Sequence, residues 1–348
     1  MMRKLIVVVG LLFCVMLWVS SCSTGRVEVG ELSGEELLRG QDALAVEDEE
    51  AIVVGFCQVG SESDWRLANT ASFRNTFTEE NGYYLIFEDA QNKQENQIKA
   101  IRNFILQEVD YIILDPIVET GWDGVLEEAK EAGIPVIVSD RQVQVADTSL
   151  YTCWVGSDFL EEGRRAGEWL ANYLEEQGRS GEEIQIVTLQ GTLDSSAQLG
   201  RTEGFGQVLS EHDNWNMLER QTGDFTQAKG QEVMEEFLGK YEDIDVVVCE
   251  NDNMAFGAVE AIQAAGRTCG QDGDIIVISF DATSAAFQAM LDGEINAAFE
   301  CNPLLGPLVS DIIQRLERGE EVEKVQYVEE TYFDTTMDLE EMLKNRTY

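Results

Sequence analysis

The chain holds one histidine in 348 residues, and that residue, His212, stands in the polar stretch Glu211-His212-Asp213-Asn214. A histidine-based triad or a multi-histidine metal site is therefore poorly supported. Basic residues are scarce too: 24 Lys and Arg face 66 Asp and Glu, a formal net charge of -42. Such a surface repels polyanions almost everywhere, which excludes nucleic acid as a partner. The carboxylates are spread along the whole chain and read as solvated helix faces, not as an acidic tail. There is no phosphate loop of the GxxxxGK type. CxxC spacing is also missing. Apart from Cys14 and Cys22 near the start, Cys57, Cys153, Cys249, Cys269 and Cys301 form an odd set, mostly in apolar runs, and read as small buried hydrophobes. Neither a metal nor a cofactor is expected. Beyond the first twenty residues no apolar run is long enough to cross a bilayer.

What the N-terminus does have is a secretory signal. Met1, Met2, Arg3 and Lys4 form a basic lead, and Leu5 to Val19 is an unbroken run dominated by Val and Leu. It ends in Val19-Ser20-Ser21-Cys22, small residues before a cysteine as in bacterial lipoprotein signals, so Cys22 is expected to be lipidated after removal of residues 1–21. A short membrane anchor is the alternative, but the run is short for a span. Residues 22–50 are polar and acidic, with Glu47-Asp48-Glu49-Glu50 at their end, and read as a flexible tether. The expected location is the extracytoplasmic face of the cell membrane, reached through the lipid alone.

From residue 51 onward the length suits two domains, each able to bury its own core. Short Val- and Ile-rich runs alternate with longer helical patterns, the signature of βα units and parallel sheets. The first set of strands is expected at Ile52 to Val59, Tyr83 to Glu88, Tyr111 to Leu114, Pro135 to Val138 and Tyr151 to Val155. The second is expected at Ile184 to Leu189, Met217 to Thr222, Val246 to Glu250, Ile275 to Ser279 and Ala297 to Glu300. Ile98, Ile101 and Ile105 mark one intervening helix by their spacing, as do Phe256, Val259 and Ile262 in the second half. The expectation is two doubly wound α/β lobes.

In such sheets ligands lie beyond the carboxyl ends of the strands. The loops placed there are rich in side chains that grip hydroxyls: Glu62, Arg66, Asp115, Asp140, Arg141, Arg201, Asp224, Asn251, Asp281 and Asn302, with the aromatic faces of Trp65 and Phe225 among them. Arg forks and carboxylates each engage two neighbouring hydroxyls, and aromatic rings suit an apolar C–H face. Ordinary alternatives exist for each. Asp140-Arg141 could be a surface turn with a weak ion pair, Glu62 an acid near a helix start, Arg201 a solvated arginine, Asn251 a helix cap and Asp281 a turn aspartate.

Several segments, in order, carry a specific likeness. Gln58-Val59-Gly60-Ser61-Glu62-Ser63-Asp64-Trp65-Arg66, Gln91 to Gln97, Thr120-Gly121-Trp122, Asp140-Arg141, Leu189-Gln190-Gly191-Thr192, Gly223-Asp224-Phe225-Thr226 and Asn251-Asp252-Asn253-Met254 resemble galactofuranose-binding proteins of the ribose-type (type I) periplasmic binding protein family. The resemblance runs from about residue 51 to the end. It implies a hinge of three crossings near Ser157, Cys301 and Glu330, joining a lobe of 51–157 plus 303–330 to a lobe of 158–302 plus 331–348. It implies that Asp140-Arg141 lies at the heart of the pocket, and that Glu62, Trp65 and Arg66 distinguish galactofuranose from ribose-like sugars. Arg201, Asn251 and Asp281 would come from the second lobe. Asp115 and Cys301-Asn302 depart from the family pattern. The implied function is capture of a furanose-type monosaccharide by a non-catalytic, monomeric lipoprotein that serves an ABC permease and its ATPase. A lipoprotein presenting sugar to a membrane kinase or chemoreceptor is the alternative, and an extracellular carbohydrate enzyme a more distant one.

Overall fold

The computed structural model of the protein describes residues 51–348; the expected signal over 1–21, lipidation at Cys22 and tether over 22–50 lie outside the described residues. Its first half begins with β1 (Ile52–Gln58), α1 (Asp64–Thr76), β2 (Tyr83–Asp89), α2 (Gln94–Leu106), β3 (Tyr111–Leu114), α3 (Asp123–Glu131), β4 (Val136–Ser139) and β5 (Cys153–Gly156). The second half repeats the rhythm with α4 (Phe159–Glu176), β6 (Ile184–Gln190), α5 (Ser196–Leu209), β7 (Trp215–Thr222), α6 (Gln227–Lys240), β8 (Val246–Cys249), α7 (Asp252–Ala264), β9 (Ile276–Asp281), α8 (Ser284–Leu291) and β10 (Ala297–Glu300). The chain ends with α9 (Gly306–Glu317), β11 (Val325–Tyr327), β12 (Tyr332–Asp334) and α10 (Leu339–Asn345). Among the described residues no helix is long and apolar enough to cross a membrane.

The strands form two six-stranded sheets, ordered β11-β5-β4-β3-β1-β2 and β12-β10-β9-β8-β6-β7. Leaving out the two late strands, each has the same doubly wound order, with a switch point beside its first strand, between β1 and β3 and between β6 and β8. Pairing is parallel throughout except for β12, which runs antiparallel to β10 with Ala298 opposite Phe333.

Period-2 alternation sends successive side chains to opposite faces, so each central strand feeds two cores. In β1, Val54 and Phe56 join Phe73, Ile312 and Ile313 on one face, whereas Cys57 joins Ile101, Phe104 and Trp122 on the other. In the second sheet Ile184 and Ile186 pack with Leu170 and Phe205, and Val187 and Leu189 with Met234, Phe237 and Met254. The chain passes between the sheets after β5, after β10 and after β11. Following the second passage, α9 lies against α1, where the backbone N–H of Gly306 donates to Ser72 Oγ at 3.0 Å. β11 then extends the first sheet beside β5, and β12 returns to the second. The carboxyl ends of both sheets, and the loops that follow them, face each other across one cleft.

Candidate functional site

The first cleft wall is set by a helix cap. Ser63 has extended backbone and its side chain accepts from the backbone N–H of Arg66 at 3.2 Å, which starts α1 directly after the β1 loop. Trp65 and Arg66 are thereby fixed in the first turn. Arg66 is enclosed by carboxylates: its Nε donates to Glu62 Oε1 at 3.1 Å, Nη1 to Asp115 Oδ2 at 3.3 Å, and Nη2 lies 2.8 Å from Asp140 Oδ2. Arg141, beyond β4, donates Nη1 to the carbonyl of Ile117 at 3.1 Å, and its other nitrogens come no nearer than 3.7 Å to Glu62 and 3.9 Å to Asp140.

The second wall mirrors this. On α5, Arg201 donates Nε to Glu162 Oε2 at 2.6 Å and Nη1 to the carbonyl of Glu250, and Nη2 lies 3.6 Å from Asp281 Oδ1. Asn251 caps α7, accepting from the N–H of Met254 at 2.9 Å, while its Nδ2 donates to the carbonyl of Phe225 at 3.0 Å. The Phe225 ring lies against Gly191, where an added Cβ would come within 1.9 Å of Phe225 Cζ. Arg141 Cζ from the opposite wall is 5.1 Å from the centre of the same ring. Several of these residues hold left-handed backbone, with φ of 60° at Asp140, 60° at Phe225 and 100° at Asp281. Such conformations cost about 1–3 kcal/mol each and concentrate at functional sites.

Together these groups line a small closed chamber. Its empty volume, counting space open to solvent, is about 290 Å³. Glu62, Trp65, Arg66, Asp140 and Arg141 line it from one lobe, and Arg201, Phe225, Asn251 and Asp281 from the other. Ser63, Phe159, Ala197 and Cys301 complete the wall; of these the sequence pointed to Cys301 only as a hinge crossing, and none was expected as a ligand contact. Phe159 and Glu162 sit one helical turn apart at the start of α4, a spacing that could have pointed to a shared inward face.

Three expected residues stand apart from the chamber. Asp115 is fully buried behind Arg66, immediately after β3, where it supports that guanidinium and does not face the cavity. Asp224 points outward: its Oδ1 accepts from Thr222 Oγ at 3.0 Å while the next residue, Phe225, turns inward. Asn302 is half-buried and spends its side chain on the N–H of Leu304 at 2.9 Å.

Burial and charge act against each other throughout the site. Burial alone would raise the Glu62 carboxyl, but Arg66 and Arg141 outweigh it and hold the group below the usual range. Asp115 is pushed up to about 8, first by burial and further by the nearby Asp140, against the opposing pull of Arg66. Burial also raises Glu162 to about 7 and Asp281 well above the ordinary value, in both cases against Arg201. The site thus keeps near neutrality by retaining protons on some of its acids, which suits an uncharged polyol better than an ion. On the lining residues, Glu62 Oε2 is buried without a hydrogen-bond partner, and Asp140 Oδ2 has only its ion pair with Arg66 at 2.8 Å. Ligand hydroxyls are the donors that such oxygens lack.

The lips of the cleft touch. The backbone N–H of Asp64 donates to Asn253 Oδ1 at 3.0 Å and Asn253 Nδ2 returns a bond to Asp64 Oδ2 at 3.1 Å. The N–H of Gln142 donates to Ser196 Oγ at 2.8 Å, and that of Glu119 to the carbonyl of Asp194 at 3.0 Å. Trp65 Nε1 reaches the carbonyl of Cys301 at 2.7 Å. This is the closed form of a two-lobed clamp.

A family model described as periplasmic binding protein domain matches residues 54–321. The chain is 39% identical over 303 residues to the galactofuranose-binding protein of Escherichia coli (strain K12), covering 85% of this chain and 93% of that relative. Among solved structures, a Mycobacterium smegmatis protein in complex with β-D-fucofuranose superposes with a TM-score of 0.81 at 45% identity, covering 85% of this chain and 95% of that one. The periplasmic binding protein component of the arabinose ABC transporter from Shewanella sp. ANA-3, bound to α- and β-L-arabinofuranose, gives a TM-score of 0.79 at 42% identity, with 85% and 95% covered.

Proposed function

Because this chain belongs to the periplasmic binding protein family, with the type I arrangement of two parallel-sheet lobes, we propose that it captures a furanose-type monosaccharide for an ABC importer, galactofuranose being the best fit. One observation carries this reading: Arg66 and Arg141 from one lobe and Arg201 and Asp281 from the other converge on a single chamber between the lobes. Planar guanidinium forks and carboxylates address paired hydroxyls, and Trp65 and Phe225 supply apolar faces. The furanose ring form is supported by the ligands named for the similar proteins.

Binding then works as a shift between two states. A sugar held by both walls at once is bound fully only when the cleft is closed, so its differential affinity drives closure about the crossings. The closed form, tethered through Cys22, is the one offered to the permease and its ATPase. Turnover of the sugar is not part of this reading. Glu62 and Asp140, the carboxylates nearest Arg141, are committed to Arg66 and act as acceptors.

A thermal-shift panel tests the proposal, since a ligand that binds only the folded form stabilises it by mass action. At about 100 times its Kd a sugar adds roughly 2.7 kcal/mol, worth about 4 °C for a chain of this size. Galactose in its furanose form is expected to give the largest rise, ahead of arabinose and ribose. Glucose, which is almost wholly pyranose in water, is expected to give none. A shift with glucose as large as with the furanose-forming sugars would reject the ring-form assignment, and no shift with any sugar would reject the function.

A further inference from the structure

Behind the chamber, on the side of the crossings, lies a second buried polar group. Glu162, in the first turn of α4, gives Oε2 to Arg201 Nε at 2.6 Å, while its Oε1 is buried without a hydrogen-bond partner. Ligand-capable atoms of Glu162, Cys301 and Glu330 lie within 4.8 Å of one another. Glu330 in turn joins the crossings. Its Oε1 accepts from Ser157 Oγ at 2.6 Å and from the backbone N–H of Asn302 at 2.7 Å, so one oxygen on the third crossing holds the first and the second. Ser157 Oγ also sits 3.3 Å from Cys301 Sγ.

The charged and titratable groups that face Glu162 are Arg201 on α5, Asp140 beyond β4, Asp158 at the first crossing, Asp281 beyond β9, and Cys301 and Glu330 at the other crossings. Arg201 is the one cation in that set. Burial favours the neutral form of Glu162, and the Asp140 and Asp158 charges add to it against Arg201. Burial raises Glu162 to about 7 and Glu330 to about 8.

We propose that Glu162 is a positioning residue that aims Arg201 at the sugar and, lying beside Cys301 and Glu330, ties that aim to the hinge crossings. The proposal rests on the sugar-binding reading above. Ionised Glu162 fixes the guanidinium with a charge-assisted bond, whereas protonated Glu162 offers only a weaker one. Affinity therefore falls as pH drops through the titration of Glu162. Removing the charge of Asp158 makes Glu162 easier to ionise and moves that fall to lower pH.

Isothermal titration with D-fucose and L-arabinose between pH 5.5 and 8.5, on wild type, Glu162→Gln and Asp158→Asn, tests this. The wild type is expected to bind about ten-fold more tightly at the upper pH than at the lower. Glu162→Gln keeps an acceptor for Arg201 but no charge, so it is expected to bind at every pH about as weakly as wild type at pH 5.5. Asp158→Asn, which keeps an acceptor for the N–H of Glu161, is expected to bind well at high pH, with its midpoint shifted to lower pH. Wild-type affinity and pH profile in Glu162→Gln would overturn the proposal. Should that variant fail to fold, an unmoved midpoint in Asp158→Asn would overturn it equally. A wild type with no affinity for either sugar would sink the functional reading, and the proposal with it.

Discussion

Arg66 and Arg141 differ in what their neighbours leave free. Arg66 is saturated by Glu62, Asp115 and Asp140, so it serves as a fixed charge that holds three acids in place. Arg141 makes one hydrogen bond to a backbone carbonyl and approaches its carboxylates only at 3.7 and 3.9 Å, which leaves most of its fork for a ligand. Truncating one partner of a buried charged pair costs about 2–5 kcal/mol. Arg141→Ala is therefore expected to weaken sugar binding by at least about 30-fold in calorimetric titration, and an unchanged affinity would contradict the assigned chamber. Asp224→Asn is the matched control. The side chain is exposed, Asn tolerates its φ of 52°, and the affinity should stay within about two-fold. At this scale the sequence showed which loops face the cleft but not which way each side chain points. Asp115 is the first residue beyond β3 and so remains in the layer beneath the loop, under Arg66. Asp224 and Phe225 are adjacent and diverge, one to solvent and one to the chamber. Glu162 looked like one more solvated acid in a chain full of them.

Helix starts do much of the positioning at the next scale. Ser63, Ser195 and Asn251 cap α1, α5 and α7 with their side chains, and these helices deliver Trp65, Arg66 and Arg201 to the cleft and Asn253 to its lip. The first turns of α1 and α7 also meet each other, through the reciprocal pair of Asp64 and Asn253. Both bonds run from one lobe to the other, so Asn253→Ala should loosen closure without touching the chamber lining. The expected effect is about five-fold weaker binding, worth roughly 1 kcal/mol and expressed as faster dissociation in stopped-flow fluorescence. A variant that binds more slowly but releases sugar at the wild-type rate would assign the pair to another role. Elements buried on both faces were legible because they read as continuous apolar runs, as Val246-Val247-Val248 in β8 does. The three-residue β11 and β12 carry no such signal. Apart from the buried Asp334 their residues are exposed or half-buried, and only their pairing with β5 and β10 makes them strands.

For the whole molecule, the buried acids set an unusual dependence of stability on pH. Burial raises Asp252 to about 6, Glu162 and Glu250 to about 7, and Asp115 and Glu330 to about 8, against about 4 for such groups in an unfolded chain. Between pH 4 and 8 the folded protein therefore holds protons that the unfolded chain has released. The stabilisation linked to these groups is fully present below about pH 4 and is lost as pH rises through 6 to 8. Glu62 has the opposite sign: Arg66 and Arg141 hold its pKa down against burial, so its contribution is present at neutral pH and lost only in acid. Stability should accordingly peak in mild acid, near pH 5 to 6, with Tm lower by roughly 5 °C at pH 8.5 in scanning calorimetry at constant 0.15 M salt. A Tm that climbs from pH 5.5 to 8.5 would mean that these acids are ionised in the closed fold. The chamber would then carry a net negative charge, and an uncharged sugar would no longer be its natural occupant.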